Sequence, residues 1–231
     1  MAKTILVVGF GPGISTAVAS KFGAAGFSVA LVARKAERLA AGVAALKAVG
    51  IAAAGFPADA GDPASLGAAI GKARAELGPI TVVHWNAYGG AEAGDLMATD
   101  PVAVRGVFDV AVVGLLAAVQ VALPNLKSTP EGAVLVTNGA FGEMSPQMDA
   151  LAVSMKTMGV SLANAAKAKL VGLLAQALKG EGVYIGEVMV AGMVKGRAWD
   201  SGGAGIEASA VADAFWDLYQ ARDQVRACAR G

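Results

Sequence analysis

The stretch Val7-Val8-Gly9-Phe10-Gly11-Pro12-Gly13-Ile14-Ser15 sets three glycines within five residues, between an apolar run and a helix-like segment. A strand over 4–8 enters it and a helix over 14–25 leaves it, the context in which a glycine pattern carries information about dinucleotide binding. Gly9 permits a sharp turn, and the missing side chain at Gly13 lets a pyrophosphate approach the backbone. The helix opening at Ile14 aims its free N–H groups and the positive end of its dipole at that anion. A tight strand-to-helix turn without a ligand is the alternative, and Ser15 stands where a further glycine is common.

Outward from this loop, short β-branched runs alternate with alanine-rich helical segments. Strands are expected at 4–8, 28–33, 51–57, 80–85, 133–137 and 183–190, and helices at 14–25, 35–49, 63–77, 101–123, 149–178 and 207–221. The strands are continuously apolar, as in a parallel sheet covered on both faces. End-to-end alternation is the signature of a doubly wound, Rossmann-like α/β sheet in three α/β/α layers. No repeat, low-complexity linker or charge block divides the chain, so residues 1–231 read as one domain. The least regular stretch, 193–206, follows the sixth strand and carries Lys195, Arg197, Asp200 and Ser201. It reads as a substrate loop over the crevice, or as an ordinary connection.

Composition narrows the classes. Hydrophobic residues are 55% and charged residues 16% of the chain, which assures a large core. A net charge of +1 gives no electrostatic case for nucleic acid or an anionic membrane. One cysteine and one histidine leave no disulfide, CxxC site, histidine-rich metal site or histidine-based triad. The apolar run at 111–123 stops at Pro124, short of the roughly 20 residues a bilayer requires. The expected compartment is the cytoplasm.

The second strand sharpens the ligand. It ends with Ala33 where NAD binders carry a carboxylate for the ribose hydroxyls, and Arg34-Lys35 follow directly. A cation pair there neutralises a 2′-phosphate, which favours NADP; the alternative is the polar start of a surface helix.

In order and spacing these motifs resemble the short-chain dehydrogenase/reductase superfamily over nearly the whole chain. Its Gly-x-x-x-Gly-Ile-Gly loop is similar to Gly9 through Ser15, and Asp59 falls at its adenine-contacting aspartate. Asn86-Ala87-Tyr88 resembles its Asn-Ala-Gly motif, and Val190-Ala191-Gly192 its Pro-Gly turn. The resemblance implies NADP contacts at Gly9, Gly11, Gly13, Ile14, Arg34, Asp59, Asn86, Ala87, Lys156 and Val194. It also implies a small carbonyl or alcohol substrate and a homodimer or homotetramer, with the small residues Ala163, Ala166 and Ala168 as a packing face.

The chemistry departs from that pattern. The resemblance places Lys156 at the ribose-binding lysine, which puts Ala152 at the catalytic tyrosine. Gly139 then stands at the serine and Ala111 at the asparagine. Neither Tyr88, Tyr184 nor Tyr219 precedes a lysine by four residues. Candidates for replacement chemistry are Tyr88, Glu143, Asp149 and Asn138, each with a bland alternative in packing, capping or a turn; His84 reads as a core histidine. Three functions follow: an NADP-dependent oxidoreductase of atypical mechanism, a non-catalytic NADP-binding protein, or a non-redox isomerase or lyase.

Overall fold

The computed structural model describes residues 3–195 and 205–231. Seven strands form one sheet in the order β3-β2-β1-β4-β5-β6-β7, parallel throughout. They are β1 (Thr4–Val8), β2 (Ser28–Ala33), β3 (Ala53–Pro57), β4 (Ile80–Trp85), β5 (Ala133–Gly139), β6 (Tyr184–Ala191) and β7 (Arg226–Arg230). The helices are α1 (Ile14–Ala24), α2 (Ala36–Ala48), α3 (Pro63–Leu77), α4 (Pro101–Phe108), α5 (Leu115–Lys127), α6 (Pro146–Ser154), α7 (Met158–Leu178) and α8 (Ala208–Ala221). β1 and β4 are buried along their whole length, which explains their unbroken apolar sequences.

Strand alternation sends Leu6, Val8, Val83, Trp85, Val134 and Val136 to the α3, α5 and α7 side. Ile5, Val7, Val82, Leu135 and Val188 face α1 and α8, where Phe22, Phe215 and Tyr219 fill the other layer. Asp62 caps α3, accepting from Ala64 N at 2.9 Å ahead of Pro63. The first-to-fourth strand neighbours reverse direction in the sheet order at β1 and β4, and this switch point opens the ligand crevice at their carboxyl ends.

Three expectations are corrected. The segment 149–178 is two helices rather than one, broken between Ser154 and Met158. A seventh strand, β7, extends the sheet at its edge; its Arg-Ala-Cys-Ala-Arg sequence has too little apolar character to announce a strand. The apolar run at 111–123 belongs to a longer helical stretch, Pro101–Lys127, with Pro124 inside α5. That stretch and Met158–Glu181 are long and apolar enough to cross a bilayer by length and composition. Leu115, Ala118, Val119 and Ala122 of α5 and Val171 of α7 are instead packed into the core.

Candidate functional site

Gly9 has φ 84, and a Cβ on it would lie 2.4 Å from Ala87 N and 2.5 Å from Ala87 Cα. Only glycine fits this position, on grounds of both backbone conformation and space. The loop and the β4 terminus are thereby sealed together, and Asn86 N–H donates to Val8 O at 2.8 Å. The Asn86 side chain adds a bond from Nδ2 to Gly9 O at 3.3 Å. Asn86 and Ala87 thus hold the glycine turn from below.

Gly13 has φ 92 and precedes α1. Among the described residues the first backbone donor of this helix to find a partner is Ala17 N, to Gly13 O at 3.0 Å. The N–H groups of Gly13, Ile14, Ser15 and Thr16 are left for an incoming anion. Ser15, the departure from a glycine pattern, is buried and braces the loop. Its Oγ accepts from Gly11 N at 2.9 Å and donates to Gly11 O at 2.8 Å. The loop is therefore shaped before any ligand arrives.

Arg34 and Lys35 lie exposed between β2 and α2, with no ion pair among the described residues. The structure adds a cation that the sequence reading missed. Arg38 lies over the loop, its Nη1 3.3 Å from where a Gly11 Cβ would stand. Arg38 stands in the first turn of α2, while Arg34 lies before the helix, so no helical spacing links the two. Asp59 is exposed and accepts from Gly61 N at 2.9 Å through Oδ1.

At the other end of the crevice, Tyr88 is 49% exposed, so it does not fill internal space. Val194 is buried and bridges Ile206 in parallel. Lys195 N–H donates to Ile206 O at 2.9 Å, which closes the base of the expected substrate loop. Arg197, Asp200 and Ser201 lie outside the described residues. Ala111 is buried on a π-helical segment, Asp109–Gly114, packed with Ala93, Val107 and Ala163. Glu143 and Asp149 are exposed.

The break between α6 and α7 changes the geometry expected around Lys156. Thr157 N–H donates to Ala152 O at 2.9 Å and Lys156 N–H to Val153 O at 3.1 Å, the Schellman closure of a helix end. Lys156 is the left-handed residue of that closure, with φ 52, and is exposed. Residues four apart act together when they share a helix face; here the helix ends between Ala152 and Lys156. The polar side chain beside Gly139 comes from α7 instead. Asn164 Nδ2 lies 2.7 Å from the position of a Gly139 Cβ.

Beneath Gly139 lies a buried polar cluster. Asn138 Nδ2 donates to Asn164 O at 3.0 Å and to Glu187 Oε1 at 2.6 Å, while its Oδ1 accepts from Gly139 N at 3.0 Å. Arg226 Nε donates to Glu187 Oε2 at 2.7 Å. Lys167 is buried nearby, and desolvation pulls its pKa down to about 8 against the opposing pull of Glu187. On the opposite face His84 is fully buried, with Nε2 3.1 Å from Thr137 Oγ1 and its ring edge-on to Phe215. Burial lowers its pKa to about 3, so it is a neutral core side chain. A surface groove of about 680 Å³ runs along β3 and α3 past Phe56, Pro57, Ser65 and Lys72, away from this crevice.

Residues 3–197 match the family model for short chain dehydrogenases. No curated protein matches the chain. Among solved structures, an NADPH-bound short-chain oxidoreductase from Pseudomonas aeruginosa PAO1, containing an atypical catalytic centre, is 21% identical with a TM-score of 0.86, covering 100% of this chain and 95% of that one. A short-chain dehydrogenase from Burkholderia cenocepacia J2315 in complex with NADP is 22% identical with a TM-score of 0.84, over 99% of this chain and 95% of that one. A Serratia marcescens short-chain dehydrogenase/reductase variant is 20% identical with a TM-score of 0.82, over 100% and 96%. At these identities the likeness is one of fold.

Proposed function

Because this chain belongs to the short-chain dehydrogenase family, we propose that it is an NADP-dependent oxidoreductase that interconverts a small carbonyl compound and its alcohol by an atypical mechanism. The observation that carries this is the cradle itself: Gly9 sealed on Ala87, four free N–H groups at the start of α1, and Arg34, Lys35 and Arg38 with no carboxylate at residue 33. A pyrophosphate would take the N–H groups of Gly13 to Thr16, and a 2′-phosphate would take the cations. Asp59, with Oδ2 open, would meet the adenine. Val194 closes the nicotinamide end, and Tyr88 stands at its mouth.

When bound, the dinucleotide supplies the hydride. The chain's own part is to fix position and to hold the developing charge on the substrate oxygen. No tyrosine or serine hydroxyl stands at residues 152 or 139, and in this proposal water supplies the proton for that oxygen. Losing one such donor costs about 10²–10³ in rate, and slow turnover is expected. The exposed apolar side chains of Val113, Leu162 and Leu173 fit a homodimer or homotetramer built on these helices; Ala163 packs inside the protomer instead.

A second function, NADP binding without turnover, is favoured by the apolar residues Ala111, Ala152 and Gly139 at the positions where hydroxyl and amide groups are expected. Two measurements separate them. Tighter binding of NADPH than NADH, by fluorescence titration, supports the cradle. NADPH oxidation with a panel of aldehydes and ketones, above the rate without substrate, supports the oxidoreductase; saturable binding with no turnover supports the binding protein.

A further inference from the structure

We propose that the Asn164 carboxamide is the donor that holds the substrate oxygen at the floor of the crevice, in the space left by the missing side chain of Gly139. This rests on the oxidoreductase function proposed above.

Asn164 is fixed by its backbone and left open at its tip. A Cβ on Gly142 would lie 2.6 Å from Asn164 C and 2.8 Å from its Cβ, so α7 meets the segment after β5 with no room between them. Ser161 Oγ donates to Phe141 O at 2.6 Å, and Asn138 Nδ2 donates to Asn164 O at 3.0 Å. One turn of α7 is thus clamped to the end of β5. The Asn164 side chain, 6% exposed, has no hydrogen-bond partner among the described residues. Neither amide atom is sealed from solvent, so the tip is free to meet a ligand.

The open amide stands where the family resemblance calls for a serine hydroxyl. Nδ2, Cγ and Oδ1 lie 2.7, 3.6 and 3.9 Å from the site of a residue-139 Cβ. Glycine at 139 and asparagine at 164 therefore form one unit, in which the amide occupies the volume of the absent side chain. Such a group donates through N–H and has no proton to surrender near neutral pH. It fits a ligand that presents an uncharged carbonyl oxygen. On reduction the carbonyl carbon receives the hydride, the π pair moves onto oxygen, and a water gives that oxygen its proton. The two electrons come from the NADPH consumed, and Asn164 keeps both amide hydrogens throughout.

The test uses the full chain with NADPH, the aldehyde and ketone panel, and the corresponding primary amides as non-reducible probes. Asn164→Ala is expected to lower kcat/KM for the preferred carbonyl by about 10²-fold while NADPH affinity stays within threefold. Gly139→Ser alone is expected to be impaired by its collision with Asn164. Gly139→Ser combined with Asn164→Ala recovers activity above either single variant, which a merely structural role would not produce. In the NADPH-loaded protein, the Asn164 side-chain NH₂ signals, identified by their loss in Asn164→Ala, shift when the amide probe binds. Unchanged turnover in Asn164→Ala, or signals unmoved by a probe that does bind, overturns the role of Asn164 alone. A wild type that binds NADPH yet neither reduces a carbonyl nor binds an amide overturns the oxidoreductase function, and this role with it.

Discussion

One buried side chain is expected to make this fold more sensitive to acid. His84 is the only histidine, and burial holds its folded pKa near 3 against 6.5 in the unfolded chain. The folded state therefore keeps the ring neutral. The resulting stability is complete above pH 6.5 and is lost as the pH falls toward 3. At pH 5 the unfolded ring is charged and the folded ring is not. The cost is 1.36 kcal/mol for each of the 1.5 pH units crossed, about 2 kcal/mol. Against a typical domain stability of about 5–15 kcal/mol that is a large fraction. His84→Gln removes the titration and keeps an amide able to reach Thr137 Oγ1. Urea unfolding at pH 7 and pH 5 is the assay, because carboxylate contributions shared by both proteins cancel in the comparison. The wild type is expected to lose about 2 kcal/mol more than the variant between the two pH values. Parallel losses, or an imidazole signal that titrates near pH 6.5 in the folded protein, refute the reasoning.

Gly9→Ala combines a left-handed backbone with a Cβ 2.4 Å from Ala87 N; NADPH affinity measured by fluorescence falls by roughly 30–100-fold. Arg34→Ala lowers NADPH affinity by about tenfold or more and leaves NADH affinity within twofold, a loss confined to the 2′-phosphate. Arg38→Ala shows the same selectivity if Arg38 shares that load. The fold disfavours the charged form of Lys167, a penalty present below about pH 8 and relieved as the pH rises toward 10.5. Lys167→Met, which leaves Glu187 paired with Arg226, is therefore expected to raise the melting temperature at pH 7 and to flatten the wild type's relative gain between pH 8 and 10. Leu173→Lys, on an exposed apolar face of α7, shifts sedimentation toward smaller species if that face joins two copies.

The glycine loop and the strands around it were legible in the sequence because their determinants are local. Gly9, Gly13 and Ile14 follow one strand within a few residues, and Ala33 and Arg34 close the next. Strand periodicity and turn glycines fix such a unit without knowledge of what packs on it. Arg38 escaped because its contact with Gly11 crosses from one helix to another loop. β7 escaped for a different reason. An edge strand paired on one side needs little apolar sequence, and Arg226, Cys228 and Arg230 alternate with two alanines.

The segment after β5 was harder because the chain hides a helix end. A left-handed cap is usually a glycine, and the glycines at 26 and 50 do mark turns after α1 and α2. At the end of α6 the same conformation falls on Lys156, inside an unbroken run of helix-compatible residues. The interval from Gly139 to Ala152 then matched the expected serine-to-tyrosine spacing, although Ala152 sits on α6, a helix separate from α7. Once α7 is placed, the residue against the end of β5 is Asn164, and the glycine at 139 acquires a steric reason. A Cβ there would sit 2.7 Å from Asn164 Nδ2. Restoring a serine at 139 without shortening Asn164 therefore places two polar side chains in one volume. Under the proposed role of Asn164, the glycine at 139 and the amide at 164 act as one unit, and either residue replaced alone should behave worse than the pair replaced together.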